Sequence, residues 1–447
     1  MIKKWLTDIT PARVILGGFA ALILTGALLL MLPFATRDGQ GAGFLDALFT
    51  ATSATCVTGL VVQDTAQYWS TFGHVVLLTL IQIGGMGVVT MAVAISMLAG
   101  RKIGLKQRWI MQESISAPQV GGILKMTGFI LKASFLMEGV GALLLSIRFI
   151  PKYGLLKGLW YGLFHSISAF CNAGFDLQGH EAAFSSLTGY TGDPVINLTV
   201  MALIVLGGIG FLTWEDLLHH KHHFSHYRLQ TKLVLTFTAV LLVVPALFFF
   251  FYEFSRGHWE GMSLGQRLLA AAFQSVTTRT AGFNTVDLTL FSQSSLLIMI
   301  MLMLVGGSSG STAGGFKVTT LSVLVATAFS TFRQKEHTQA FGRRLPNETL
   351  RSAATIFLMY LLLFLGGGIA IACVEEVSLL SALFESGSAI ATVGLSLGLT
   401  PTLSAFSRLL LIFLMYFGRV GGLTLIFAVV RQDRNPGQLP QERITVG

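Results

Sequence analysis

Eight stretches of this chain, near residues 12–33, 74–98, 126–147, 195–214, 233–252, 293–328, 353–373 and 405–430, are apolar for long enough to cross a bilayer, which takes about 20 residues of helix. Lipid offers no partner to a free peptide group, so such stretches must be helical. Of the 447 residues, 53% are hydrophobic and 11% charged, against roughly 25% charged in a soluble domain. That excludes a water-soluble enzyme and leaves no room for a large soluble domain. The expected fold class is an all-α polytopic membrane protein. No small-residue cleavage site follows the first apolar stretch, which reads as an uncleaved first helix. Cys56, Cys171 and Cys373 lie in apolar surroundings and read as packing residues, not as a disulfide framework.

Between the first and second span of each pair sits a shorter apolar piece, near 44–56, 158–171, 264–278 and 378–391. Segments of about 10 to 14 residues are too short to cross and read as re-entrant. Each ends in a similar phrase: Val57, Thr58, Gly59; Asn172, Ala173, Gly174; Thr280, Ala281, Gly282; Thr392, Val393, Gly394. Leu or Phe follows every one of these glycines, which are 115, 108 and 112 residues apart. A second glycine-rich phrase recurs in the second long segment of each unit, beginning at Gly84, Gly207, Gly306 and Gly418. Two separate marks repeated four times divide the chain into helix, pore loop, helix units at 1–110, 111–228, 229–345 and 346–447. Each unit crosses twice, so all four have one orientation, which predicts pseudo-fourfold symmetry around a single pore.

With both termini cytoplasmic, 19 of the 30 basic residues fall on the inner side and seven on the outer. That asymmetry sets the orientation. It also accounts for most of the net charge of +9 without a nucleic-acid surface.

Four half-helices pointing their carboxyl ends at one axis focus the negative ends of their dipoles there, which favours a cation. The phrases beyond them can turn carbonyl oxygens inward as a ring replacing an ion's hydration shell, and glycine tolerates the strained turn this requires. No acidic side chain occurs in the four phrases, so a monovalent cation fits better than a divalent one. The alternative is that these glycines only let short helices pack, as in solute channels; an inverted twofold repeat would suit that reading better than four parallel copies.

In the third unit the second long segment is interrupted by Gly306, Gly307, Ser308, Ser309, Gly310, Ser311, Thr312, Ala313, Gly314 and Gly315. Five glycines in ten residues hold a helix poorly, at about 1 kcal/mol each relative to alanine, and unwound backbone at this depth must lie inside protein or face water. Its place just inside the third filter phrase predicts a gate across the pathway; a packing kink is the alternative. Lys317 and Arg419 fall at membrane depth and are functional candidates for that reason. A positive charge about 7 Å from a permeating ion would raise its energy by roughly 2 kcal/mol at an effective dielectric near 20. Arg279 reads as a brace behind the third phrase, and Glu138 as a partner for Lys132 only through neighbouring helices.

These units, with a glycine kept in all four T-x-G-like phrases, resemble the Ktr/Trk/HKT superfamily of potassium transporters over essentially the whole chain, and within it the KtrB group of bacterial membrane subunits. The resemblance implies potassium selectivity at Gly59, where some plant relatives that admit sodium have serine, and gating by the 306–315 loop. It implies a homodimer in the bacterial cell (inner) membrane, seated on a ring of cytosolic nucleotide-binding subunits of the KtrA type. The basic cytoplasmic segments would dock that ring and the tail at 444–447 would lie in the dimer interface. It implies no cofactor bound by this chain, potassium as the transported ion, and leaves sodium dependence of uptake open. Two rivals remain: a divalent-metal transporter using the histidine-rich loop at 219–226, which otherwise reads as a solvated or partner-facing segment, and an intramembrane hydrolase using the Gly/Ser tract, which lacks a histidine base at matching depth.

Overall fold

The computed structural model describes residues 10–98, 103–114, 122–180, 182–422 and 424. The chain runs through α1 (Pro11–Leu30), α2 (Phe44–Thr55), α3 (Thr71–Met86), α4 (Val88–Leu98), α5 (Leu105–Ser114), α6 (Ile123–Tyr153), α7 (Leu155–Phe170), α8 (Pro194–Gly208) and α9 (Phe211–His220). It continues through α10 (Leu229–Phe248), α11 (Leu264–Thr277), α12 (Gln293–Leu304), α13 (Val318–Phe332), α14 (Asn347–Glu375), α15 (Leu379–Ile390) and α16 (Ala405–Val420), with one two-residue hairpin, Gln339–Ala340 and Arg343–Arg344, in the loop before α14. The protein is a multi-pass helical membrane protein. Helices α1, α6, α10 and α14 are each long and apolar enough to cross alone, and they expose Leu28, Leu136, Leu143, Val243, Val244, Leu358 and Leu362. Large apolar side chains left on the surface are the expected covering of helices solvated by lipid rather than water.

The short helices α2, α7, α11 and α15 occupy the four expected re-entrant segments, and each packs against the long helix that precedes it. Their inner faces are dense with hydroxyls: Thr52, Ser53 and Thr55; Ser166 and Ser168; Ser275, Thr277 and Thr278; Ser386 and Ser388 are all buried. The second helices connect the units in a circuit. Helix α3 packs on α7, α8 on α11, α12 on α15, and α16 returns to α2. On the outer face Arg408 of α16 closes the same seam with an ion pair to Asp46 of α2 at 2.8 Å. A serine or aspartate, Ser70, Asp193, Ser292 or Ser404, caps the outer end of each second helix by accepting from a first-turn N–H. Such caps supply partners for N–H groups that a helix end leaves free.

The second glycine phrases do more than expected. The sequence reading keeps the second helix of units one, two and four continuous and breaks only the third. The structure bends the first by 97° between α3 and α4 and the second by 95° between α8 and α9; the turning residues are Gly87 at φ +89 and Gly210 at φ +91. Helix α16 likewise ends against Gly421 at φ +90. These glycines take a backbone conformation that side-chain-bearing residues rarely adopt.

The first glycine of the phrase has a different task. A Cβ on Gly84 would strike the carbonyl oxygen of Thr55, one on Gly207 that of Phe170, and one on Gly418 that of Ile390. In units one, two and four the last carbonyl of the re-entrant helix therefore lies directly on a bare Cα of the next helix. Gly84→Ala and Gly207→Ala are expected to destabilise the purified protein by about 1–3 kcal/mol each, read as a fall in detergent melting temperature. Gly139→Ala, where an added Cβ meets nothing within 4 Å, should leave it unchanged or slightly raised.

Candidate functional site

At the carboxyl end of each re-entrant helix the backbone turns left-handed at a residue other than glycine: Val57, Asn172, Thr280 and Thr392 have φ of +52, +57, +62 and +51. Two residues on, Gly59, Gly174, Gly282 and Gly394 again have positive φ, at +93, +69, +83 and +93. The residues between them, Thr58, Ala173, Ala281 and Val393, do not. Alternating handedness turns successive peptide units the same way, gathering N–H groups on one side and carbonyl oxygens on the other.

The N–H side points back into the re-entrant helix. Thr58 N donates to Ser53 O at 2.8 Å, Ala173 N to Ser168 O at 2.7 Å, Ala281 N to Thr277 O at 3.0 Å and Val393 N to Ser388 O at 2.8 Å. The Ser53 and Ser388 hydroxyls also accept from Gly59 N and Gly394 N at 3.1 and 3.0 Å. Ser168 and Thr277 instead donate to the carbonyls of Phe175 and Phe283, the latter at 2.5 Å.

The four phrases meet one another in order. A Cβ on Gly59 would lie 2.6 Å from Ala173 O and 3.1 Å from the Gly174 Cα; on Gly174, 2.8 Å from Ala281 O; on Gly282, 2.5 Å from Val393 O. One on Gly394 would strike Thr58 O, with the Gly59 Cα at 2.9 Å, which returns to the start. Any side chain at these positions would fill the constriction or push a neighbouring strand away. Leu60, Phe175, Phe283 and Leu395, next in each phrase, are buried. All four glycines also border an outer cavity of about 390 Å³ that Asp64, Asp176 and Asp287 line. Burial pushes the Asp176 carboxyl up to about 7, helped by Asp64 and opposed by the Gln178 N–H.

Several acidic residues near the ends of the helices are engaged with partners. Asp46 pairs with Arg408, Glu385 accepts from Thr400 at 2.7 Å, Glu253 from Ser292 at 2.7 Å and Glu375 from Ser404 at 2.6 Å. Their work is to hold outer loops and helix ends together.

On the inner side the 306–315 segment is ordered by its surroundings. Gly306 N donates to Phe316 O at 2.8 Å and Val318 N to Gly307 O at 3.0 Å, which pinches the base of the loop. Ser308 N and Thr312 N donate to Gly208 O and Gly207 O at 2.8 and 3.2 Å, and Phe211 N donates back to Gly310 O at 2.9 Å. Gly314 lies so close to Thr392 that a Cβ would strike its hydroxyl. Lys317 Nζ donates to Ala313 O at 2.6 Å and Gly314 O at 3.3 Å. The Arg419 guanidinium donates to Thr312 O and to the carbonyls of Gly84 and Gly85, the last two at 2.5 and 2.9 Å. One side chain of the fourth unit thus ties the loop of the third to the hinge of the first. Beneath it lies an inner cavity of about 220 Å³ lined by Gly87, Ser309, Lys317, Arg419, Gly421 and Glu113.

Other candidates fall elsewhere. Arg279 is buried and borders a small void with Gly208, Val276 and Gly307. Lys132 is exposed while Glu138 is buried, so the two do not pair. In the histidine-rich loop His220 Nδ1 meets Asp216 at 2.9 Å and Asp216 also accepts from Arg228 N at 2.9 Å. Among the described residues no three metal-ligating side chains are gathered. Ser308, Ser309 and Ser311 bond to loop atoms and to Thr319, and none to a base. The tail at 444–447 lies outside the described residues.

The fold and site define a polytopic helical membrane protein whose re-entrant helices meet at a central constriction with an ordered loop beneath it. The chain belongs to the TrkH family of cation transport proteins, whose profile matches residues 19–437. It is 38% identical to the potassium/sodium uptake protein NtpJ of Enterococcus hirae over all of this chain and 99% of that one. It is 38% identical to the Ktr system potassium uptake protein B of Bacillus subtilis over 100% and 98% of the two chains, and 37% identical to the protein of that name from Vibrio alginolyticus over 97% and 94%. The potassium transporter TrkH of Vibrio parahaemolyticus has the same fold, with TM-score 0.71 at 20% identity over 93% of this chain and 85% of that one. The membership read from the glycine phrases stands, on the KtrB side of the superfamily, and the family is one of transporters, not enzymes.

Sequence reasoning missed the hydroxyls that lock the phrases. Ser53, Ser168 and Ser388 each lie six residues before the glycine that ends their phrase and Thr277 five before it, a recurrence visible once the glycines are aligned. Ser53→Ala with Ser388→Ala removes the acceptors for two buried glycine N–H groups, at a cost of about 1–3 kcal/mol apiece. We expect a double variant that still assembles but discriminates poorly among monovalent cations in vesicle flux; undiminished discrimination would detach these hydroxyls from the filter.

Proposed function

We propose that this chain is the potassium-translocating membrane subunit of a regulated uptake system in the bacterial inner membrane. The observation that carries it is the closed circuit of Gly59, Gly174, Gly282 and Gly394, each packed on the next phrase with carbonyl oxygens at the contact. In this reading the four units are pseudo-fourfold copies about one pore, and both termini are cytoplasmic. The recurring caps, hydroxyls, glycine contacts and helix circuit support it, because each repeats at matching places in three or four units.

A potassium ion gathers in the outer cavity, where Asp64 and Asp287 favour cations. It exchanges water for the oxygens of Thr58, Ala173, Ala281 and Val393, stabilised by the carboxyl ends of four helices. Neutral oxygens attract a monovalent ion without the grip of a carboxylate ring. Below the ring the 306–315 loop bars the way, held by its own Lys317 and by Arg419. Opening requires Arg419 to release either the loop or the Gly84–Gly85 hinge, so movement of α4 or α9 on the cytoplasmic side can be felt at the loop. We assign that movement to a cytosolic nucleotide-binding ring of the KtrA type, on which a homodimer of this chain sits; relatives named as parts of a Ktr system support a multi-component assembly. The related protein named for potassium and sodium uptake makes sodium dependence part of the proposal.

Rubidium flux into vesicles holding the purified chain, with and without sodium, tests the function; no rubidium flux, or zinc flux in its place, would overturn it. Gly174→Ser places a side chain at φ +69 and against Ala281 O. It should lower potassium-over-sodium preference about tenfold or more, the equivalent of about 1.4 kcal/mol. An unchanged ratio would remove Gly174 from the selecting ring.

Shortening the loop by deletion of 308–311 should raise basal flux and weaken its dependence on the cytosolic partner. A variant that transports at the ordinary rate under ordinary control would separate this loop from gating.

A further inference from the structure

Glu138 lies midway along α6, within the bilayer, and is 3% exposed. A carboxyl at that depth is costly unless it is paired or neutral. Among the described residues no cation forms an ion pair with it. On its own helix Lys132 is exposed. Helices α4 and α8, which pack on α6, carry no ionisable side chain, and Arg108 and Glu113 of α5 lie towards the cytoplasm. His74 of α3 bonds to Thr65 O, and His165 of α7 lies between Tyr161 O and Leu177 N. Arg419 is committed to three carbonyls.

Two groups do face Glu138. Gln82 of α3 donates Nε2 to both carboxyl oxygens at 3.0 and 3.2 Å, and the Cys171 thiol lies 4.0 Å from one of them. Gln82 Oε1 is buried with no donor. An ionised carboxylate would leave that oxygen orphaned and place an uncompensated charge in the membrane. A protonated carboxyl removes the charge and carries an O–H that the amide oxygen can accept once the Gln82 amide turns out of its fork on the two carboxyl oxygens.

We propose that Glu138 is a positioning residue for ion selection. Held as the neutral acid, it forms a two-bond clasp with Gln82 that fixes the Cys171 end of the second filter phrase to the second helix of unit one. The inference rests on the filter reading above. The clasp sits where it can matter at both ends. Cys171 opens the phrase ending at Gly174, and its sulfur lies where a Cβ on Gly85 would be, 2.6 Å away. Gly84 and Gly85, two and three residues after Gln82, supply the carbonyls that hold Arg419.

The test uses the full chain in vesicles. Glu138→Gln keeps two hydrogen bonds as an amide pair, so flux and the rubidium-over-sodium ratio should stay close to wild type. The wild-type chain should lose selectivity as the pH is raised through titration of the carboxyl, since the clasp exists only while the proton is bound, and Glu138→Gln should not. Glu138→Leu leaves both Gln82 groups unsatisfied and should lower the ratio roughly tenfold. Infrared difference spectra at neutral pH should contain the carbonyl stretch of a protonated carboxyl that disappears in Glu138→Gln. The idea is overturned if that band is missing, or if Glu138→Gln is as unselective as Glu138→Leu. Wild-type vesicles that pass no rubidium would instead count against the pore, since the infrared band is read without transport.

Discussion

Everything in this molecule depends on where the last carbonyls of four short helices go. A re-entrant helix ends inside the membrane, where water is scarce and an unsatisfied peptide group costs several kcal/mol. The chain meets that cost with bare Cα atoms and hydroxyls. Gly84, Gly207 and Gly418 let the following helix lie directly on the terminal carbonyls of α2, α7 and α15, and Ser53, Ser168, Thr277 and Ser388 hold the turn beyond. With N–H groups drawn back into the helices, the carbonyls of the glycine phrases are left for the constriction. The proposed selectivity and the observed packing therefore draw on one backbone arrangement.

The third unit relaxes that arrangement. At its counterpart of Gly84, Gly306 abuts Gly314 of its own loop instead of a helix end. The helix is interrupted from Val305 to Lys317, and the freed peptide groups find partners in the second unit at Gly207, Gly208 and Phe211 and in the fourth through Arg419. A loop whose hydrogen bonds belong to its neighbours can be reset by moving those neighbours. That is the physical argument behind the proposal of a gate that lies within the membrane yet answers to the cytoplasmic side.

Much of this was legible in the residues. Four re-entrant helices were placed to within a few residues because a short apolar run ending in a glycine phrase can neither cross the bilayer nor continue as a regular helix. The backbone turns at the four phrases and the helix break at 306–315 were legible from recurrence and from helix-breaking composition. The hidden parts have specific reasons. The bends at Gly87 and Gly210 were missed because an apolar run of spanning length looks continuous when one glycine at φ near +90 is all that turns it. The grip of Arg419 on Thr312, Gly84 and Gly85 joins residues 107, 335 and 334 positions apart, and no local pattern encodes such a contact. The partners of Glu385 and Asp46 were hidden as well, because sequence gives charge without giving what it meets.

Arg419 also bears on why the proposed pathway carries charges at all. A loop of glycine and serine is soft, and carbonyls facing a water-filled pathway would find water as readily as protein. A guanidinium offers five donors in a rigid fork, so one side chain can hold Thr312 O and the Gly84–Gly85 carbonyls at once, while Lys317 holds Ala313 O and Gly314 O from the other end of the loop. In the function proposed above the same two charges also repel a cation, so the closure proposed there is mechanical and electrostatic together: the groups that bind the loop are the groups that face the ion.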